Sequence, residues 1–191
     1  ILTCEHGGNE IPEEYEYLFN KTPEVLKTHR GLDIGALALF EQLKAIKADS
    51  SYFSTTSRLL VELNRSRNHK SLFSEYTKPL QKIVRRHILT KYYDIGLLFD
   101  PKKKPEKEFC GQWKSEMKSF SDKFAVKFNE PYLGKSDGFT TYLRKEFDSS
   151  SYTGIELEVN QKFYIAGGYQ WPEDILKLIL NSYKAMVKKV G

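Results

Sequence analysis

Three stretches of this chain carry residue types at spacings that could do chemistry. The first is Ser57-Arg58-Leu59-Leu60-Val61-Glu62-Leu63-Asn64-Arg65, where Arg58, Asn64 and Arg65 bracket an aliphatic run. A guanidinium presents a planar fork that matches a carboxylate with two parallel, charge-assisted bonds, and a neighbouring amide can fix the pose. Arginines so placed suggest a pocket for an acidic small molecule. The competing use is structural, with the arginines paired to the chain's own acids such as Glu62 or Asp33. The second stretch is Glu5-His6-Gly7-Gly8-Asn9-Glu10-Ile11-Pro12. A histidine followed by glycines that let the backbone bend is well placed as a metal ligand, with Glu5 and Glu10 as ligands or supporting groups. Its competing use is to cap a loop. The third is Gly154 to Gln161, where Glu156, Glu158 and Asn160 alternate with Ile155, Leu157 and Val159. Carboxylates on one side of a strand are costly unless they meet cations, a metal or water. Glu158, nearer the carboxyl end, could act as general base on a metal-bound water. Exposed glutamates on an edge strand are the plainer alternative.

These residues need elements to position them. Ile1 to Cys4 reads as a strand that delivers His6 to its carboxyl end, where open α/β sheets bind ligands. Leu59 to Leu63 reads as a buried strand. Asp33, within His29 to Ala36, is expected to N-cap a helix whose stripe is Ala36, Leu39, Phe40, Leu43 and Ile46. Asp33 and His29 could also face His6 and help form a metal site. Tyr52-Phe53 predicts a short strand. A long amphipathic helix is expected from Leu72 to Tyr93, with Tyr76, Leu80, Ile83, Val84, His87 and Ile88 on its stripe. That position gives His87 a core or interface role, while His69, in the loop before the helix, is expected to face solvent. A helix carrying Phe109, Trp113, Met117 and Phe120 follows, then a half-buried strand with Phe124, Val126 and Phe128. A short helix is expected near Thr141 to Phe147. Pro172 opens a last helix with Ile175, Ile179, Tyr183, Met186 and Val190 on one face.

Composition narrows the classes. A chain of 191 residues with 29% charged and 14% aromatic side chains suits one globular domain. The net charge of +5 is spread thinly, which argues against a nucleic-acid surface. No apolar run reaches membrane-spanning length, and no signal peptide is visible. Cys4 and Cys110, far apart, make no disulfide framework and fit a reduced, cytoplasmic setting. Phosphate loops, dinucleotide fingerprints, His-Glu-x-x-His helices and Cys-x-x-Cys pairs are all missing from the sequence.

Taken together, Glu5 to Pro12, His29 to Ala36, Ser57 to Ser66, Asp94 to Pro101, Asn129 to Arg144 and Gly154 to Tyr164 resemble the N-formylglutamate amidohydrolase family. The resemblance implies an α/β fold, a mixed central β-sheet flanked by helices, like the zinc carboxypeptidases and aspartoacylases. It implies a zinc-dependent hydrolase that cleaves the N-acyl group of an acidic amino acid or a related small amide. His6 would be a zinc ligand, and the second ligand falls among Glu10, Asp33 and His29. Arg58 and the Asn64-Arg65 pair would orient the substrate carboxylate, with Arg58 also stabilising the oxyanion. Glu158 would be the general base. The expected partner is a small N-acyl amino acid, not nucleic acid or membrane. An inactive relative that binds acidic amino-acid derivatives is the alternative. Family members also carry a strand ending in His-Ser-Phe-Thr-Pro, a further zinc histidine, where this sequence passes from Tyr93 to Asp94. The expectation is one domain over 1–191 with a segment missing there, and with residues missing before Ile1.

Overall fold

Short β-strands alternate with amphipathic helices along the chain. The computed structural model describes residues 1–46, 48, 50–65, 69–77 and 93–190. By its contacts the chain falls into two units, Ile1–His87 and Ile88–Gly191.

In the first unit, β1 (Leu2–Cys4) and β2 (Ser51–Phe53) pair in parallel, Leu2 opposite Ser51 and Cys4 opposite Phe53. Between them run two 3-10 stretches, Glu13–Phe19 and Pro23–Lys27, and the helix α1 (Ala36–Lys44). Helix α1 buries Leu39, Phe40 and Leu43, the positions its helical spacing predicts. A separate apolar cluster joins Phe19, Val25 and Leu59, with Ile11, Leu60 and Tyr76 packed against it.

Two expectations change here. Leu59 to Leu63 is a turn, not a strand: the N–H groups of Leu60 and Val61 both donate to the Ser57 carbonyl, at 2.9 and 3.4 Å. Leu59 is buried, but Leu63 is 41% exposed. The cause lies in the polar residues, because Arg58 and Glu62 pair at i,i+4, a helical spacing that a strand would pull apart. Leu72 to Thr77, the described start of the expected long helix, forms bends and turns. Within it the Ser74 Oγ accepts the Tyr76 N–H at 3.2 Å. Leu80, Ile83, Val84, His87 and Ile88 lie outside the described residues.

The second unit is built on β3 (Ile95–Leu98), whose four residues are all buried. It lies between β4 (Val126–Phe128), parallel to it, and β5 (Glu156–Val159), antiparallel. The helices are α2 (Lys104–Phe120), α3 (Phe139–Glu146), α4 (Lys162–Ala166) and α5 (Glu173–Val190). Helices α2 and α5 pack together, burying Cys110, Met117, Ile175, Leu178, Ile179 and Met186. Within that core the Trp113 indole N–H finds its acceptor in Ser182 Oγ at 3.0 Å. The chain is thus mixed α/β, with small sheets and packed helices.

One buried ion pair organises the second unit. Arg144 donates to both oxygens of Glu106, from Nε at 2.7 Å and from NH2 at 3.0 Å. The two side chains are only 6% and 2% exposed. Arg144 also donates to the carbonyls of Gly134 and Gly154, both at 2.7 Å. Glu106 in turn accepts the Asp100 N–H at 2.7 Å. A desolvated pair of this kind holds only when its remaining donors and acceptors are also satisfied. Here it joins α2, α3 and the loops before β5.

Candidate functional site

The site lies in the first unit, where three chain segments are tied by backbone bonds before any side chain is considered. The Asp33 N–H donates to the His6 carbonyl at 3.0 Å, and the Arg58 N–H to the Gly31 carbonyl at 3.1 Å. The Ser57 hydroxyl adds a second bond to Gly31, at 3.0 Å. After β1 the chain hugs the segment that follows β2, through Gly7 N–H to Ser54 and Glu10 N–H to Thr55. A Cβ at Gly8 would overlap the Thr55 backbone, so the close approach itself requires glycine there.

This frame brings His6, Asp33, Arg58 and Glu62 into one closed network. His6 is buried, its Nδ1 2.9 Å from Asp33 Oδ2 and its Nε2 bonded to Glu62 Oε1. Arg58 reaches the other oxygen of each acid. Its NH1 meets Asp33 Oδ1 at 2.7 Å, and its Nε meets Glu62 Oε2 at 3.1 Å. The Asn64 N–H also donates to Glu62 Oε1, at 3.2 Å. Each carboxylate therefore gives one oxygen to the imidazole and one to the guanidinium.

The electrostatics follow from that geometry. Burial pushes His6 down, but the bonds to Asp33 and Glu62 outweigh it and raise its pKa to about 9. Near neutral pH both ring nitrogens therefore carry protons and both donate. Burial pushes Glu62 up, yet His6 and Arg58 together bring it down to about 2. Asp33 is also lowered, the same two cations overcoming its desolvation.

Other expected site residues stand elsewhere. Asp33 does not cap α1: Gly35, at φ 87°, occupies the N-cap, and the Asp33 carboxylate is spent on His6 and Arg58. Glu10 is exposed and accepts from the Thr55 hydroxyl at 2.6 Å. His29 is exposed. Arg65 donates to the Asn64 carbonyl at 2.8 Å. Glu158 belongs to the second unit, on β5 opposite Gly96. Glu62 is the residue the sequence undervalued. It entered only as a possible partner for an arginine, and its i,i+4 spacing from Arg58 was the signal available.

As donors, His6, Asp33 and Glu62 offer one imidazole and two carboxylates, types that zinc accepts. Among the described residues no three His, Cys, Asp or Glu side chains are disposed to hold a metal ion. The four carboxylate oxygens are already shared between His6 and Arg58. Zinc accepts these residue types, but in this arrangement no carboxylate oxygen or ring nitrogen of the set is open to it.

No family model matches the chain, and no curated protein does. Among solved structures it is similar to gene product Atu2144 from Agrobacterium tumefaciens. That likeness covers 100% of this chain and 90% of the other, at a TM-score of 0.74 and 18% identity. The likeness is one of fold. Among the described residues no helix is long and apolar enough to cross a membrane.

Proposed function

We propose that this chain is a metal-dependent amidohydrolase that removes an N-acyl group from an acidic amino acid or a related small amide. The proposal extends to a zinc carboxypeptidase-like fold, an N-formylglutamate amidohydrolase-like relationship and a cytoplasmic setting. The observation that carries it is the convergence of His6, Asp33, Glu62 and Arg58, with Asn64-Arg65 directly after them. Carboxylates around a buried imidazole are what a histidine metal ligand needs for orientation. The adjoining guanidinium groups suit an anionic substrate.

In this reading His6 and Asp33 would hold the ion, and Glu62 would help to orient the imidazole. A bound zinc would supply Lewis acidity there, lowering the pKa of water toward neutrality. Asn64 and Arg65 orient the substrate carboxylate. The sequence resemblance alone gives Glu158 the general-base role, in which a carboxylate would take a proton from water and return it to the leaving amine.

A second reading is an inactive relative that only binds acidic amino-acid derivatives. It is favoured by one observation, that both His6 nitrogens are already engaged. A substrate panel decides between the two. Zinc-loaded protein should release amine from N-formyl-glutamate or N-acetyl-aspartate faster than from their neutral counterparts. Binding of these compounds without any turnover favours the second reading.

A further inference from the structure

Strand β5 is held against β3 with less apolar burial than β3 itself has. All four residues of β3 are buried, whereas all four of β5 are only half-buried. Its alternation still fixes the face. Leu157 and Val159 pair with Leu97 and Ile95, both fully buried, so a slip by one residue would turn Glu156 and Glu158 onto that apolar side. A slip by two residues keeps every side chain on its own face. It moves Glu158 about 7 Å along the sheet and sets Glu156 or Asn160 opposite Gly96 in its place. Apolar patterning does not exclude that second arrangement, so polar contacts must.

Such contacts lie at both ends of the ladder. At one end the Asn160 N–H donates to the Asp94 carbonyl at 2.9 Å, and its side-chain amide to the Tyr93 carbonyl at 3.1 Å. At the other stands the Glu106–Arg144 pair. Asp100 and Gly154 each lie two residues beyond the last paired positions, Leu98 and Glu156, and so continue the same register. A single carboxylate takes both: Glu106 Oε2 accepts the Asp100 N–H at 2.7 Å, and Oε1 the Gly154 N–H at 3.3 Å. Arg144, bonded to both oxygens, also donates to the Gly154 carbonyl at 2.7 Å. Both backbone groups of the buried Gly154 are thus gripped, and a slip by two would bring those of Tyr152 or Glu156 there instead. The Thr140 hydroxyl, bonded to Glu156, adds a further hold from α3. We propose that the Glu106–Arg144 pair sets the register of β5 on β3 and is the positioning pair for Glu158. Its bearing on catalysis rests on the reading of Glu158 as general base, whereas the register itself does not. Fixing one arrangement among several is the best-attested use of a buried polar or ionic group.

The test uses the intact chain carrying Glu106→Leu and Arg144→Met together, which strands no charge in the core. Cross-strand NOEs read the register directly. The parent should show contacts between Gly96 and Glu158, and the double variant should show contacts from Gly96 to Glu156 or Asn160 beside them or in their place. With zinc added, kcat on N-formyl-glutamate should fall about tenfold or more and KM stay within about twofold, because a displaced base lowers turnover without altering substrate binding. If the double variant does not fold, Arg144→Lys decides. It keeps a charge beside Glu106 but loses the fork that also reaches Gly154, so amide exchange in β5 should rise about tenfold or more relative to α5. Gly96–Glu158 contacts alone in the double variant overturn the proposal, leaving the register to the Asn160 end, as does unchanged β5 exchange in Arg144→Lys. A shifted register with no turnover in parent or variant upholds the proposal and removes the hydrolase reading.

Discussion

Arg58 NH1 lies 2.7 Å from Asp33 Oδ1, across 25 residues of sequence, and that contact closes the ring through Glu62 and His6. Without it, His6 would be held by two acids lacking their second cation. The guanidinium thus balances the charge that makes a doubly bonded, buried histidine tolerable.

The first prediction concerns pH and the metal-free protein. His6 is raised from 6.5 to about 9, so its contribution to stability is complete below 6.5 and is lost as pH climbs through 9. Glu62 is lowered from 4.5 to about 2, so its contribution is complete above 4.5 and is lost as pH falls through 2. The first unit should be most resistant to denaturant between these limits, in weakly acidic solution. Hydrogen exchange of its amides across the pH range checks this. His6→Asn should remove the alkaline loss and also shrink the acid one, since the bond to His6 is the main cause that lowers Glu62.

A second prediction isolates the buried pair of the other unit. Arg144→Met strands the Glu106 carboxylate in the core and should cost about 3–5 kcal/mol, as loss of one partner of a buried pair does. Glu106→Leu added to Arg144→Met should recover a large part of that loss. Denaturant unfolding of the single and double variants measures the difference. Equal stability of the single variant and the parent would refute the central place given to this pair.

Glu158→Gln should leave zinc and substrate binding within about twofold and lower turnover about 10²–10⁴-fold, the usual contribution of a positioned base. Calorimetric binding beside a steady-state assay separates the two effects. Turnover that survives the change assigns the base to another group.

Arg65→Lys keeps the charge but loses the planar fork. If Asn64 and Arg65 grip the substrate carboxylate, KM for acidic substrates should rise about tenfold or more with a smaller change in kcat. A matching loss for neutral amides would mean that Arg65 acts on folding instead.

Much of this arrangement was readable from sequence, and its failures have physical causes. His6 and the Ser57 to Arg65 stretch stood out because donors and acceptors cluster there beside glycines and aliphatics. The aliphatic run misled, since a five-residue apolar stretch does not distinguish strand from helical turn, and the Arg58–Glu62 spacing settled it. Asp33 read as a cap because capping is a local use, whereas its two actual partners, His6 and Arg58, come from distant segments. The helices α1, α2 and α5 were visible through their apolar period, which tertiary packing reinforces. The Glu106–Arg144 pair was not visible: its partners are 38 residues apart and neither has distinctive neighbours.

The most direct test of the central claim is the rate of N-formyl-glutamate hydrolysis by chelator-stripped protein as zinc is returned. The account predicts no turnover without metal, a rise with added zinc, and saturation at one equivalent per chain. Stoichiometric zinc binding with no hydrolysis of this or any N-acyl amino acid, acidic or neutral, would contradict it.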